Sequence, residues 1–205
     1  GKITLNENSF DLHRLLKDVL NMFSLKANPK EVTLSLDIAP DVPRSVRTDE
    51  AKLRQILTNL VANAVKFTQQ GKIFIEVAPV SLPLLTENDC PTTLAFKVRD
   101  TGVGIAKEER EKLFLPFEQT SSGRATRQGT GLGLSITREF LNRMVGAILS
   151  ESEIGQGSCF SFHLPVQLNA SAAAVCASSY AHVLGIAPAD HDYQLLWFVD
   201  LPDHL

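Results

Sequence analysis

The sequence predicts an α+β fold: a two-layer sandwich with a mixed, mostly antiparallel sheet and helices on one face. Three observations carry this. The predicted elements run helix, strand, helix, strands, helices, strands. Apolar residues recur at period two in the strands and at spacings of three and four in the helices. Regular β–α–β alternation, which a doubly wound parallel sheet needs, is missing.

Each element has its own signal. From about Ser9 to Phe23, Leu12, Leu15, Leu16, Val19 and Phe23 share a helical face, with Ser9 as the expected cap. Val32, Leu34, Leu36 and Ile38 alternate with polar residues and predict a strand. Asp41–Arg47, beside Pro40 and containing Pro43, is expected to turn. The clearest helix is Thr48–Phe67. Its apolar face is Leu53, Ile56, Leu57, Leu60, Val61 and Ala64, and Thr48, Asp49 and Glu50 supply a cap and N-terminal negative charge.

Gly71 follows that helix, and Lys72–Val80 reads as a strand with Ile73, Ile75 and Val77 on one side. Ser81–Thr93 carries Pro83, Asn88, Asp89 and Pro91 and is a loop. Leu94–Arg99 is a strand running into Asp100-Thr101-Gly102-Val103-Gly104. Lys107–Leu113 is a short charged helix, and Ser121–Gln128 lacks periodicity and is expected to be mobile. Leu132–Met144 is helical, with Ile136, Phe140 and Met144 expected to face inward. Ala147–Ser152 and Ser158–Leu164 are strands, the latter with Phe160, Phe162 and Leu164 on one face. After Pro165 the composition changes, and Asn169–Ser179 is an Ala- and Ser-rich linker.

Bulk properties exclude several functions. Hydrophobic residues make up 44% and charged residues 21% of 205, as in a soluble globular protein. A net charge of −3 gives no basic footprint for nucleic acid. No run of about 18 apolar residues would span a bilayer, so no direct membrane contact is expected. Gly1–Phe10 lacks the regions of a signal peptide and reads as a cut inside a longer protein. The odd number of cysteines (Cys90, Cys159, Cys176) without close spacing fits idle thiols in a reducing compartment. The five histidines lie scattered, without a metal or triad pattern.

Three segments could carry chemistry. On the polar side of the Thr48–Phe67 helix, Lys52, Gln55, Asn59, Asn63 and Lys66 fall in one stripe. A solvated face explains Lys52 and Gln55. Asn is a poor helix former, costing roughly 0.5 kcal/mol against Ala, so Asn59 and Asn63 suggest a use. Carboxamide oxygens suit a Mg2+ ion that keeps waters and phosphate ligands, and a Lys one turn on could meet those phosphates. The second segment, Asp100–Gly104, lets backbone approach a ligand, or is a plain Asp-x-Gly turn. The third, Gly129-Thr130-Gly131-Leu132-Gly133-Leu134, opens a helix whose free N–H groups favour phosphate. It fits neither the dinucleotide-binding spacing nor the P-loop. Arg124 and Arg127 just before it could add charge to a triphosphate site.

In this order the segments resemble the ATP-binding domain of sensor histidine kinases, of the superfamily that also holds gyrase, Hsp90 and MutL. The resemblance covers roughly Asp11–Pro165. Asn59–Thr68 ("NLVANAVKFT") resembles the N box, Asp100–Ile105 ("DTGVGI") the G1 box, Leu113–Gln119 ("LFLPFEQ") the F box, and Gly129–Ile136 ("GTGLGLSI") the G2 box. Gly155–Pro165 ("GQGSCFSFHLP") matches the closing strand.

The resemblance implies the Bergerat fold and a set of roles. Asn63 would ligate Mg2+ with Asn59 assisting, and Lys66 would contact phosphate or ribose. Phe67 would line the nucleotide pocket, and Asp100 would hydrogen-bond the adenine amine. Gly102, Gly104 and Ile105 would shape the adenine pocket. Gly129, Thr130, Gly131, Leu132, Gly133 and Leu134 would flank the phosphates, with Arg124 and Arg127 nearby. Phe114 and Phe117 would anchor a mobile lid. The cofactors implied are ATP and Mg2+. The implied activity is transfer of the γ-phosphoryl group to a histidine on a separate dimerisation domain, in two-component signalling in the cytoplasm.

The hydrolases of the superfamily keep a Glu four residues before the Mg2+ Asn. Here that position is Asn59, which cannot act as a base. This favours kinase over ATP hydrolase. The other alternative is a degenerate nucleotide-sensing or scaffold domain. The acceptor-histidine motif is absent, and His13 in "DLHRLLKDV" reads as a helix-surface residue. Tyr193–Leu205 ("YQLLWFVDLPDHL") resembles the start of a receiver domain, or is an apolar linker with Leu195–Val199 exposed. The expected organisation is 1–10 as a remnant after the dimerisation helices, 11–166 as the ATP-binding domain, 167–192 as linker and 193–205 as a possible receiver start. The implied partners are the dimerisation domain of the same kinase and a receiver domain, downstream or in trans.

Overall fold

The computed structural model describes residues 4–80, 92–110, 112–120, 123 and 130–168. In chain order the elements are β1 (Asn8–Asp11), α1 (Leu12–Ala27), a 3-10 turn (Asn28–Lys30), β2 (Val32–Ile38), β3 (Ser45–Thr48) and α2 (Glu50–Phe67). Then come β4 (Gly71–Val80), β5 (Thr92–Asp100), α3 (Lys107–Arg110), α4 (Gly133–Arg143), β6 (Ala147–Glu153) and β7 (Gly157–Leu168).

The strands form one sheet in the order β1-β3-β7-β5-β4-β2, with β6 also paired to β7. Only the β2–β4 pair is parallel among the described strands; every other pairing is antiparallel. Period-two alternation turns Ile73, Ile75 and Val77, then Leu94, Phe96 and Val98, then Phe160, Phe162, Leu164 and Val166 to one buried side. Phe96 and Phe162 stack there with centroids 4.7 Å apart. The helices cover that side. α1 contributes Leu12, Leu15, Leu16, Val19 and Phe23, and α2 contributes Leu53, Ile56, Leu57, Leu60 and Val61, all nearly inaccessible. The two-layer α+β expectation therefore holds.

Several boundaries differ from the sequence expectation, each for a local reason. Ser9 does not cap α1. It pairs with Arg47 in the β1–β3 ladder, and Asp11 accepts the Arg14 N–H at 2.9 Å. The sheet therefore reaches ahead of residue 11. The turn expected over Asp41–Arg47 is shorter, because Ser45–Thr48 is strand. Thr48 belongs to that strand, and Asp49 caps α2 by accepting the Lys52 N–H at 3.0 Å. β7 runs past Pro165 to Leu168, where it pairs with Val46. In α4 the buried residues are Thr137 and Leu141, while Ile136 is 38% exposed. α4 leans chiefly on α2, so the side meeting α2 is the one buried.

Other expectations lie outside the described residues: most of the 81–93 loop, most of Ser121–Gln128, Cys90, Cys176 and everything after Leu168. His13 is half-buried, with Nε2 3.2 Å from the Val42 carbonyl. Cys159 is half-buried on the sheet side away from the helices, and burial pushes its thiol above its ordinary value. Among the described residues no helix is long and apolar enough to cross a membrane.

Candidate functional site

The candidate residues converge where the end of α2, the turn after β5, the 112–120 stretch and the start of α4 meet. Two hydrogen bonds tie these segments together. The Val103 N–H points to the Phe67 carbonyl at 3.4 Å, and the Phe117 N–H donates to the Gly131 carbonyl at 3.1 Å. The α2 stripe begins with structural work: Lys52 pairs with the buried Asp49 and donates to the Thr4 carbonyl at 2.7 Å.

Asn59 bonds to protein through both ends of its carboxamide. Its amide nitrogen donates to the Gly133 carbonyl at 3.1 Å and to Thr137 Oγ1 at 3.3 Å. Its amide oxygen accepts from exposed Gln55 at 2.8 Å. Asn59 joins α2 to the first turn of α4, and its amide oxygen keeps a second lone pair beyond the bond from Gln55. Asn63, one turn further on, is half-buried. Lys66 lies with its Nζ 4.7 Å from the Phe67 ring centroid, and burial holds its ammonium below the ordinary value. A Cβ at Gly123 would stand 3.9 Å from the Phe67 ring.

Asp100 ends β5 and is 6% exposed. Burial raises its carboxyl above the ordinary range, and the N–H groups of Gly102 and Ser158 pull it part of the way back. The Gly102 N–H reaches Oδ1 at 2.8 Å. A side chain at Gly102 would press on the Phe67 carbonyl at 2.5 Å and on Asp100 Oδ1 at 2.8 Å, so only glycine lets these backbones close up. Gly104 is buried against the Glu153 carbonyl. Ile105 packs on the core edge, and its N–H donates to Ser152 Oγ at 2.8 Å.

Gly131 sits at φ +72, where a Cβ would meet the Phe117 and Glu118 backbone. Phe117 itself has φ 65 and is 75% exposed, so its backbone forms the clasp rather than its ring. Phe114 is the half-buried anchor, packed on the core with the Arg138 guanidinium 5.8 Å from its ring centroid. Thr130 is exposed, and Leu132, Gly133 and Leu134 are half-buried. Leu132, the N-cap of α4, gives no side-chain cap. The first N–H groups of the helix can therefore meet an anion. Arg124, Arg127 and Gly129 lie outside the described residues.

The site fits a nucleotide on two further observations. Thr68, next to Phe67, is fully buried and its hydroxyl has no partner among the described residues. At Gly102 the backbone closes onto the Phe67 carbonyl beside the buried Asp100 carboxylate. For the metal, no cluster of three or more His, Cys, Asp or Glu exists among the described residues. A neutral oxygen from Asn63 suits a hard ion such as Mg2+ that arrives with phosphates and keeps its waters. A separate groove of about 730 Å³ at the N-terminal end of α2, lined by Asn6, Asn8, Met22 and Arg54 among others, carries none of the candidate residues.

Sequence reading missed Ser152, Ser158 and Thr137. Ser158 was within reach: it extends the Phe160–Phe162–Leu164 face back by one step, toward Asp100.

The fold and site define an ATPase domain. Residues 48–168 match the family described as "Histidine kinase-, DNA gyrase B-, and HSP90-like ATPase", and the chain belongs to that family. Within it, the chain is similar to the histidine kinases. It is 38% identical over 170 residues to the signal transduction histidine-protein kinase BarA of Escherichia coli K12, covering 82% of this chain and 18% of that protein. It is 36% identical over 166 residues to hybrid signal transduction histidine kinase B of Dictyostelium discoideum, covering 80% and 8%. The crystal structure of full-length ShkA in complex with AMPPNP aligns at TM-score 0.69 with 31% identity, over 82% of this chain and 33% of that one. The chain therefore spans less than a quarter of the curated relatives named here.

Proposed function

We propose that this domain binds ATP with Mg2+ and donates the γ-phosphoryl group to a histidine on a separate dimerisation domain. The observation that carries the kinase reading is the state of Asn59. Where hydrolases of the superfamily hold a Glu to activate water, this chain has a carboxamide whose amide donates to α4 and whose oxygen is taken by Gln55. It can take no proton from water. Transfer to a positioned imidazole needs no such base from this domain, only alignment and charge neutralisation.

Asp100 accepts the base amine, and Gly102 and Gly104 let the backbone close around the base. Phe67 lines the base pocket. Lys66 sets a positive charge toward the phosphates, and the uncapped start of α4, from Gly131 to Leu134, turns N–H groups to them. Asn63 supplies the protein oxygen for Mg2+, which when bound offsets charge on the phosphates. In the transfer, a bond forms from the imidazole nitrogen to the γ-phosphorus, the bond to the β,γ-bridging oxygen breaks, and ADP leaves. ATP as substrate supports a cytoplasmic location. Similarity to hybrid kinases supports a receiver domain as a second partner, in the parent protein or in trans.

The test is transfer in trans. Incubate the chain with γ-labelled ATP, alone and with the dimerisation fragment of its parent. Label should appear on the fragment's histidine, as an acid-labile and base-stable adduct, with little free phosphate from the chain alone. Steady phosphate release by the chain alone would mark it as a hydrolase.

A further inference from the structure

Three polar side chains stand in a row across the sheet at the base of the site. The ladders set Asp100 on β5 opposite Ser158 on β7, and Ser158 opposite Ser152 on β6. Directly opposed residues share a face of the sheet. Asp100 and Ser158 are both nearly inaccessible, at 6% and 8%.

The two hydroxyls lie 2.9 Å apart, and their other partners decide which one donates. Ser152 Oγ accepts the Ile105 N–H at 2.8 Å and lies 2.8 Å from the Gly157 carbonyl oxygen. A carbonyl only accepts, so that contact takes the single proton of Ser152. The contact between the serines must then use the proton of Ser158. Ser158 is left with lone pairs and no proton for a ligand. Beside it the ionised Asp100 carboxylate is acceptor-only too; it already takes the Gly102 and Ser158 N–H groups and keeps further lone pairs.

We propose that Ser152 is a positioning residue that fixes Ser158 as an acceptor, so that the Asp100–Ser158 floor takes a 6-amino purine and turns away a 6-oxo purine. This rests on the nucleotide reading above. An exocyclic amine brings two hydrogens to two acceptors. A carbonyl in its place meets lone pairs on both sides and leaves buried acceptors unmade, which is the strong form of polar discrimination.

The experiment is calorimetric titration of the chain with ADP and with IDP, its 6-oxo counterpart. The unsubstituted chain should prefer ADP. Ser152→Ala releases the Ser158 proton to turn toward a carbonyl, and the ADP-over-IDP preference should fall about tenfold, the worth of one hydrogen bond. Ser152→Thr keeps the hydroxyl and should keep the preference. In a Ser158→Ala background, Ser152→Ala should shift the ratio no further. An unchanged ratio in Ser152→Ala overturns the proposal. So does an equal fall in both backgrounds, which would make Ser152 only a support for Ile105. Should Ser152→Ala fail to fold, Ser158→Ala carries the test, and an unchanged ratio there overturns it. Binding without preference in the unsubstituted chain sinks this proposal alone, whereas no binding of either nucleotide sinks the nucleotide reading and this with it.

Discussion

Asp100→Asn separates what the buried carboxylate does for the fold from what it does for a ligand. Asp100 is 6% exposed, and the Gly102 N–H meets it at 2.8 Å. Asn keeps an oxygen for Gly102 and removes the charge, so the turn survives. Burial raises the Asp100 carboxyl above the ordinary 3.8. Between 3.8 and that raised value the folded chain holds a proton that the unfolded chain has released. Stability therefore falls as pH climbs through this window and returns as pH drops. Asp100→Asn should flatten that dependence and leave the melting temperature at neutral pH equal or higher. Its effect on nucleotide runs the other way. Losing a buried charge-assisted bond costs about 1.5–3 kcal/mol, roughly a ten- to hundred-fold rise in Kd for ADP. The assays are calorimetric titration with ADP and thermal melts from pH 3 to pH 8. Unchanged ADP affinity in a variant that melts like the parent would refute the role of Asp100.

Three further substitutions test other parts of the site. Asn59→Ala removes the strut to Gly133 and strands the fully buried Thr137 hydroxyl. It should cost about 1–2 kcal/mol, a drop of a few degrees in melting temperature, and a melt identical to the parent's would remove the strut from the fold's support. Gly102→Ala drives a methyl onto the Phe67 carbonyl and Asp100 Oδ1. About 1–3 kcal/mol of destabilisation and loss of ADP binding are expected, read by denaturant melts and titration. Lys66→Met keeps the packing on Phe67 but loses the charge. ADP should bind more weakly while adenosine binds as before; an equal loss for both would move Lys66 away from the phosphates.

The core was legible in the sequence because it depends on short periods. The alternation in 73–77, 94–98 and 160–164 and the face of α2 needed no tertiary information. The boxes placed Asn63, Asp100 and Gly102 because special residues at short range mark them. Pairings at long range were not legible. Ser9 looks like a cap until Arg47, far along the chain, claims it for the sheet. Phe140 and Met144 pack on the core as their spacing predicts, but Ile136 fits the inward stripe on α4 as well as Thr137 and Leu141 do, and only packing on α2 decides between them. The contact of Asn59 with α4 was likewise not legible in the sequence. Its partners, Gly133 and Thr137, become visible only when α4 is laid beside α2. The same holds for the Asp100–Ser158–Ser152 row, which three strands bring together.

The central claim, an ATP–Mg2+ pocket walled by α2, is tested most directly by calorimetric titration with a non-hydrolysable ATP analogue, with and without Mg2+. Expected is one saturating site, tighter by about tenfold or more with Mg2+, the gain disappearing in Asn63→Ala. No heat of binding, or the same affinity with and without Mg2+ in the unsubstituted chain, would contradict it.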